Sequence, residues 1–186
     1  MDVVDLPLKG VKLVKPKVLA DERGFFLESY RKDVLARHGV DVDFVQDKHS
    51  RSSKNTVRGL HFQWARAQGP GQAKLLRVVS GRIFDVVVDI RKGSPTFGKW
   101  HAEILDAADH HQLFVPVGFA HGFCVMSDVA DVLYKVSSVY DAATESGFSF
   151  DDPSVGVEWP VKRGEALISN RDRDAKSMAD IVGEGV

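Results

Sequence analysis

Short apolar segments follow one another along this chain, and glycine, proline or charged residues separate most of them. Several segments alternate apolar and polar residues, which is the pattern of a strand with one buried face. No segment carries a long helical period. The pattern therefore predicts many short strands packed as a sandwich or barrel. The predicted strands are Val11–Leu19, Phe25–Tyr30, Phe44–Gln46, Thr56–Gln63, Leu75–Ser80, Arg82–Ile90, Gly98–Leu105, Gln112–Val115, Gly122–Met126 and Val129–Tyr140.

Helical structure is predicted only in short stretches. Arg31–His38 has a helical composition and is followed by a glycine, which can close a helix. A glycine between the strands Leu75–Ser80 and Arg82–Ile90 predicts a hairpin. The charged tail Glu158–Val186 is expected to pack as short helices and loops over the strands. We therefore predict an all-β fold with a few short peripheral helices, in one domain that covers residues 1–186.

The composition excludes several classes of protein. A formal net charge of −1 over 186 residues provides no basic field for a nucleic acid. Cys124 is the only cysteine, which excludes an intrachain disulfide, and its apolar neighbours predict a buried position. No apolar run approaches the roughly 20 residues of a membrane helix, and the acidic start at Asp2 and Asp5 is unlike a signal peptide. We expect a cytoplasmic protein without a membrane or nucleic-acid partner.

A histidine interrupts one of the predicted apolar strands, in the sequence Arg-Gly-Leu-His-Phe-Gln that begins at Arg58. In a regular strand His61 and Gln63 share one face, and their apolar neighbours point to the other. On the inner face of a barrel, His61 is a candidate for proton transfer. A half-buried imidazole with satisfied hydrogen bonds is the alternative, and the segment alone leaves both interpretations open.

Polar residues interrupt most of the predicted strands, and in a small barrel the inward positions of different strands converge on one cavity. A metal site in such a barrel usually shows two histidines two residues apart, with a carboxylate and a later histidine. His61 has no such neighbour, and His121 is the only histidine in the later glycine-rich turn. The adjacent His110 and His111 are interpreted as a solvated loop. We therefore expect no metal and no other cofactor.

An ordered set of motifs runs through most of the chain. The motifs are Asp21–Glu28, Phe44–Asp47, Val57–Gln63, Gln72–Lys74, Asp85–Arg91, Ser94–Gly98, Pro116–Phe123, Tyr134–Lys135, Asp151–Pro153, Trp159–Pro160 and Ser169–Asp172. Together they resemble the dTDP-4-dehydrorhamnose 3,5-epimerase family. The resemblance implies a cupin-type jelly roll that acts on a nucleotide-linked 4-keto-6-deoxy sugar.

The resemblance also implies a role for each of four catalytic residues. Removal of a proton beside a ketone gives an enolate, so such an enzyme needs a base, an acid on the opposite face and a cation near the oxygen. His61 matches the base, and Asp172 matches the carboxylate that orients its ring and stabilises the imidazolium. Tyr134 matches the acid, and Lys74 matches the lysine near the keto oxygen.

A set of substrate contacts follows from the same resemblance. Arg23 and Arg58 match positions that contact the diphosphate, where a planar guanidinium suits paired phosphate oxygens. In the family the segment Arg23–Glu28 tends to cross to the neighbouring subunit, which implies a homodimer with shared sites. The other positions, near the sugar or the nucleotide, are Phe26, Glu28, Gln46, His121, Tyr140, Glu145 and Arg171.

Two features depart from the family pattern. Lys48 stands where the family usually has asparagine, and this extra cation either alters recognition of the sugar or phosphate or points to solvent. Lys48 is therefore included among the candidate substrate-binding residues. The stretch Phe62–Ala73 is longer than usual and is expected to border the mouth of the pocket.

We predict an isomerase that inverts C3 and C5 of dTDP-4-dehydro-6-deoxy-D-glucose to give dTDP-4-dehydro-L-rhamnose, in the biosynthesis of dTDP-L-rhamnose. A close alternative keeps the fold and epimerises only C3 or only C5, of this or a related nucleotide-linked 4-keto sugar. Two further alternatives are a metal-dependent cupin enzyme and a sugar-binding cupin without catalysis. In each epimerase interpretation the nucleotide sugar is the expected partner.

Overall fold

Two sheets face each other in this computed structural model, which describes residues 1–66 and 69–183. The strands are β1 (Asp2–Asp5), β2 (Lys12–Lys15), β3 (Val18–Asp21), β4 (Gly24–Leu27), β5 (Gln46–Ser53), β6 (Val57–Gln63), β7 (Ala65–Arg66), β8 (Gly69–Pro70), β9 (Lys74–Ser80), β10 (Arg82–Asp89), β11 (Trp100–Asp106), β12 (Gln112–Val115), β13 (Phe119–Val125), β14 (Val129–Val136) and β15 (Glu145–Gly147). The helices are α1 (Lys32–Arg37), α2 (Asn170–Arg173) and α3 (Met178–Gly183), with a 3₁₀ turn at Arg163–Glu165.

The strand order is that of a jelly roll. Among the described residues, six strands form the first sheet, in the order β1-β2-β12-β9-β14-β5, and five form the second, in the order β11-β10-β13-β6-β15. All pairings within the two sheets are antiparallel, and most join strands that are distant in sequence. The predicted all-β, cupin-type jelly roll with a few short helices is confirmed.

The main core lies between the inner faces of the two sheets. Leu76 and Val132 of the first sheet belong to the same buried cluster as Val87 of the second. Side chains alternate along a strand, so Val86 and Val88 point to the opposite face, where they are also buried. Burial on both faces explains why β10 carries a continuous valine run.

Short helices and loops cover the outer faces of the sheets. Helix α1 packs Leu35 beside Leu75 and Phe114, on the outer face of the first sheet. The tail packs Trp159 and Met178 against the second sheet. The prediction for the tail is therefore confirmed over its described part, and this packing places the segment before α2 at the open end of the barrel.

Several predicted strands begin, end or pair differently in the structure. The hairpin predicted from Leu75–Ser80 and Arg82–Ile90 is wrong, because β9 and β10 belong to different sheets. Gly81, with a φ of +78°, turns the chain from one sheet to the other. Val11–Leu19 spans β2 and only the first two residues of β3, and Phe44–Gln46 meets only the first residue of β5. β5 is polar along its length, so it lacks the apolar signal of a strand.

Strand β6 carries one extra residue opposite β13, and this irregularity sets the direction of its polar side chains. Arg58 pairs with Phe123. The next pair, His61 with His121, lies three residues further along β6 but only two along β13. The extra residue is a β-bulge, which interrupts the inside–outside alternation. Arg58 and His61 therefore both face the interior, although a regular strand would point them to opposite faces.

Gly59 makes this bulge possible. Its φ of +134° is a conformation that residues with a side chain rarely adopt. A Cβ atom at Gly59 would lie 2.5 Å from the Cα atom of Gly122 and 2.9 Å from the carbonyl oxygen of His121. The two strands thus approach so closely that neither glycine has room for a side chain.

We expect Gly59→Ala to lower the free energy of unfolding by about 3–5 kcal/mol, because it adds a backbone clash to an unfavourable φ. Gly24→Ala is the matched control, since Gly24 has a φ of +124° and nothing lies within 4 Å of an added Cβ. The control should lose only about 1–2 kcal/mol from backbone strain. Denaturant unfolding of both variants measures the difference, and equal losses would contradict the importance of the strand contact.

Candidate active site

A cavity of about 570 Å³ opens between the two sheets, and residues 166–169 and 171–173 of the tail form part of its wall. The other walls come mainly from inward positions of β6, β13 and β14, which a closed jelly roll brings together. Polar side chains that are far apart in sequence therefore meet in one space. The predicted site residues that line it are Arg58, His61, His121, Tyr134, Glu145, Arg171 and Asp172.

A hydrogen bond of 2.5 Å joins His61 Nε2 to Asp172 Oδ1. Asp172 lies in α2, whose first turn is capped because the Ser169 hydroxyl accepts a hydrogen bond from the Asp172 backbone N–H. Burial favours the neutral carboxylic acid, but the hydrogen bond and charge of His61 keep the pKa of Asp172 below its ordinary value. Asp172 is thus an ionised, buried partner that occupies one nitrogen of the ring and leaves Nδ1 for another contact.

A second histidine–aspartate pair lies on the neighbouring strands. His121 Nε2 is 3.0 Å from both carboxylate oxygens of the completely buried Asp85. Burial raises the pKa of Asp85 and lowers the pKa of His121, and the attraction between the two groups opposes both shifts. Asp85 is not among the predicted site residues. Its position two residues before Val87, on the inward face of β10, is the signal that could have identified it.

Lys74 and Tyr134 complete the predicted catalytic set. Lys74 Nζ donates a hydrogen bond of 3.2 Å to the backbone carbonyl of His61. Burial, followed by the charge of Lys48, lowers the pKa of Lys74 to about 8. Burial raises the pKa of Tyr134, so its hydroxyl keeps its proton at neutral pH. His61, Tyr134 and Asp172 line the cavity described above. Lys74 is not among the residues that line it and lies beside it, against the backbone of His61.

Further predicted residues surround these groups. Arg58 Nε donates to a serine hydroxyl of β5 at 2.9 Å, and Arg171 Nη1 donates to Glu145 Oε2 at 2.6 Å. The side-chain oxygen of Gln46 accepts a hydrogen bond of 3.1 Å from the backbone N–H of Tyr140. These contacts hold two guanidinium groups at the cavity, with N–H groups available for an anionic ligand.

Lys48 does not project freely into solvent. The side chain is half-buried, and its Nζ lies 5.9 Å from the ring centre of Tyr134 and 5.2 Å from that of Tyr140. Of the two alternatives offered for this position, simple exposure to solvent is therefore wrong.

The hairpin β3–β4 carries three predicted site residues away from the cavity of its own chain. Arg23 is 85% exposed and forms an ion pair with Asp21 on the same hairpin. Phe26 is 67% exposed, and the Glu28 carboxylate lies 3.6 Å from Arg31. None of the three predicted residues lines the cavity described above. They reach a site only if the hairpin meets another molecule.

Within the long stretch Phe62–Ala73, residues 67–68 lie outside the described residues. Its two ends are joined to the segment after β14. Gln63 donates a hydrogen bond to the Ser138 hydroxyl, and Gln72 donates one to the Ser138 carbonyl. The ends of the stretch are therefore fixed beside the strand that carries Tyr134.

The structure also bears on metal binding, on membrane-spanning helices, and on the positions of Cys124 and the two adjacent histidines. Across residues 1–66 and 69–183, no group of three or more His, Cys, Asp or Glu side chains is arranged to hold a metal ion. No helix in the same residues has the length and hydropathy to cross a membrane. Cys124 is buried, as predicted, and burial raises the pKa of its thiol to about 11. His110 and His111 lie in a loop, as predicted, where His110 packs on Phe25.

A jelly roll that brings a histidine–aspartate pair and a tyrosine to one cavity, with a lysine hydrogen-bonded to the backbone of that histidine, is a cupin-type barrel whose groups suit proton transfer. The family model described as dTDP-4-dehydrorhamnose 3,5-epimerase matches residues 5–180. The chain belongs to this family.

Relatives and a solved structure agree with this membership. The dTDP-4-dehydrorhamnose 3,5-epimerase of Shigella flexneri is 45% identical over 97% of this chain and 97% of its own length. That of Neisseria gonorrhoeae is 47% identical over 96% of this chain, which spans about half (53%) of that relative. A Legionella pneumophila structure, the dTDP-6-deoxy-D-glucose-3,5-epimerase RmlC in complex with dTDP-4-keto-L-rhamnose, is 40% identical with a TM-score of 0.89, covering 95% of this chain and 92% of that one.

We expect Lys74→Met to raise the free energy of unfolding at pH 7 by about 1–3 kcal/mol, because it removes a charge that burial disfavours. Lys74 has a folded pKa of about 8 against an ordinary value of 10.5, so the unfolded chain binds more protons between these values. The cost of burying the charge is complete below pH 8 and disappears as the pH rises towards 10.5, and the advantage of the variant should disappear with it.

The exposed Lys54→Met is the matched control and should change stability by less than about 0.5 kcal/mol. Denaturant unfolding at pH 7 and pH 10 measures both variants. A Lys74→Met protein that is less stable than the wild type at pH 7 would contradict the assigned cost of burial.

Proposed function

We propose that this chain epimerises C3 and C5 of dTDP-4-dehydro-6-deoxy-D-glucose, giving dTDP-4-dehydro-L-rhamnose for the biosynthesis of dTDP-L-rhamnose. The observation that carries the proposal is the 2.5 Å hydrogen bond between His61 and Asp172, in a cavity that Tyr134 also lines. The family membership supports the same reaction.

The first half of each inversion is removal of a proton by His61. Asp172 keeps one proton on Nε2, so Nδ1 presents a lone pair. This lone pair accepts a proton from the carbon beside the ketone. The electron pair of the C–H bond moves to the ketone oxygen and forms an enolate. The imidazolium that results is stabilised by the ionised Asp172, and the enolate by the ammonium group of Lys74.

The second half is delivery of a proton to the opposite face by Tyr134. Because burial raises the pKa of Tyr134, the hydroxyl stays protonated until a strongly basic carbon is formed next to it. The carbon takes the hydroxyl proton as the enolate returns to a ketone, and the configuration is inverted. Solvent then restores the tyrosine proton and removes the one on His61, and the cycle repeats at the second carbon.

The nucleotide part of the substrate is assigned to cations and aromatic groups around the cavity. Arg58 and Arg171 suit the diphosphate, because a guanidinium can donate two parallel hydrogen bonds to phosphate oxygens. Gln46, His121, Tyr140 and Glu145 are assigned to the sugar and the base. Lys48 belongs to this region through its contacts with the rings of Tyr134 and Tyr140. No metal or other cofactor takes part in this proposal.

We further propose that the protein is a homodimer in which each hairpin β3–β4 completes the site of the partner. The support is the exposure of Arg23 and Phe26 on a hairpin that does not line the cavity of its own chain. Apolar surface on such a projection favours burial against a second molecule. Each subunit is then one cupin-like domain over residues 1–186, and a cytoplasmic location stays a prediction.

Incubation with dTDP-4-keto-6-deoxyglucose in deuterated water tests the reaction. We expect deuterium at both C3 and C5, because each carbon loses its proton to His61 and regains one from a group that exchanges with solvent. His61→Asn should lower the rate by more than about 10³-fold while dTDP affinity stays within a few-fold, and His111→Asn should match the wild type. Proton nuclear magnetic resonance resolves the positions. Deuterium at one carbon alone would replace the double inversion with a single one, and an active His61→Asn variant would exclude His61 as the base.

A heterodimer experiment tests the shared sites. One tagged subunit carries Arg23→Ala with Phe26→Ala, and the other carries His61→Asn. If each hairpin completes the site of the other subunit, the altered hairpin falls in the site that already carries His61→Asn. The other site then carries no defect, so the purified heterodimer should show about half of the wild-type activity. A heterodimer of His61→Asn with Tyr134→Phe is the control, and it should stay inactive because each site then keeps one defect. Activity no higher than that of the control would contradict the exchange.

A further inference from the structure

A lysine lies between two tyrosine rings beside the candidate site. Lys48 on β5 is the direct strand neighbour of Tyr134 on β14, and paired residues of an antiparallel sheet point to the same face. The Lys48 Nζ is within 6 Å of the ring centres of both Tyr134 and Tyr140. Within the described part of the chain, no carboxylate forms an ion pair with Lys48. Its charge is therefore held by aromatic faces.

The orientation of the Tyr134 ring depends on this contact, because its hydroxyl has no hydrogen bond among the described residues to hold it. No hydrogen bond to its hydroxyl is formed by the described residues, and that hydroxyl is not shielded from the cavity. Its ring is therefore oriented only by packing against the core and by Lys48. A cation over an aromatic ring contributes about 0.5–2 kcal/mol, which is enough to favour one ring orientation over another by several-fold.

Tyr140 anchors the other side of the lysine. Its backbone N–H donates to Gln46, the residue two positions before Lys48 in β5. The nearby Glu145 raises the pKa of the Tyr140 hydroxyl. Lys48 thus connects Tyr140, whose backbone is tied to β5, to Tyr134, whose hydroxyl forms no hydrogen bond with the described residues.

We propose that Lys48 is a positioning residue that holds the ring of Tyr134 at the angle from which its hydroxyl reaches the sugar, and so determines how proton delivery is divided between C3 and C5. The proposal rests on the proposed function, because it assigns a cause to the behaviour of the acid in that reaction. An acid that serves two carbons must reach two positions, and small errors in its placement reduce the two rates unequally.

Lys48→Met tests the proposal, since methionine keeps the length of the side chain and removes the charge. We expect kcat to fall by about 10-fold and the ratio of deuterium at C3 to that at C5 to change by at least about threefold. KM and the affinity for dTDP should stay within about twofold of the wild type. Lys48→Arg, which keeps a cation over the rings, should restore most of kcat and the wild-type ratio.

Lys135→Met is the matched control. Lys135 follows Tyr134 in β14 but points to the outer face, where its Nζ lies 5.2 Å from the ring centre of Tyr30 and pairs with Asp47. This variant loses a lysine–tyrosine contact of the same kind away from the site, and it should keep the wild-type kcat and deuterium ratio. Thermal unfolding of the variants shows whether they are folded, and Lys48→Gln serves as a second neutral variant.

Two results would overturn the proposal. An unchanged kcat and deuterium ratio in folded Lys48→Met would show that the ring angle does not depend on the charge. An increase in KM and in the dissociation constant of dTDP, with kcat and the ratio unchanged, would make Lys48 an anion-binding residue instead. A wild-type protein that incorporates no deuterium would instead refute the proposed function. This outcome is distinct because it is measured on the wild type alone, without any comparison between variants.

Discussion

The close approach of two backbones at Gly59 and Gly122 determines the chemistry of the second sheet. The approach accommodates a bulge, and the bulge turns both Arg58 and His61 towards the interior. A regular strand with the same sequence would place one of the two side chains on the outer face, among the buried residues that contact the tail. The cavity therefore owes the inward positions of His61 and Arg58 to a local departure from regular strand geometry.

The two histidine–aspartate pairs show how the same residue types acquire different proton affinities. Asp172 stays ionised beside His61, whereas burial raises the pKa of Asp85 and lowers the pKa of His121. In the second pair, burial favours a neutral His121 ring that forms fixed hydrogen bonds. Lys74 lies close enough to the second pair for its charge to act on Asp85 and His121, and its ammonium group donates a hydrogen bond to the backbone carbonyl of His61 in the first.

Sequence reasoning found the elements whose signal is local. The valine run of β10 and the helix at Lys32–Arg37 follow from composition and turn residues, and the ordered motifs located His61 and Asp172 although they are distant in the chain. Strand pairing was harder, because it depends on contacts between distant segments: the turn at Gly81 looks the same whether the chain folds back or changes sheets.

The remaining omissions have physical causes of the same kind. β5 pairs along its full length with β14 but carries polar residues, so hydrogen bonding to a neighbour defines it and hydrophobicity does not. Asp85 resembles any structural aspartate until its partner His121 is known. The bulge beside Gly59 appears only when β6 and β13 are aligned, because the strand sequence alone does not contain its partner's register.

The distance along the chain between His61 and Asp172 has a consequence for the synthesis of the protein. His61 and Asp172 are 111 residues apart, and the carboxylate is carried by a short helix of the tail. The strands of both sheets precede this helix, so a nascent chain contains every strand of the barrel before the partner of the histidine has emerged. The pairing of His61 with Asp172 therefore becomes possible only after the strands of both sheets have been synthesised.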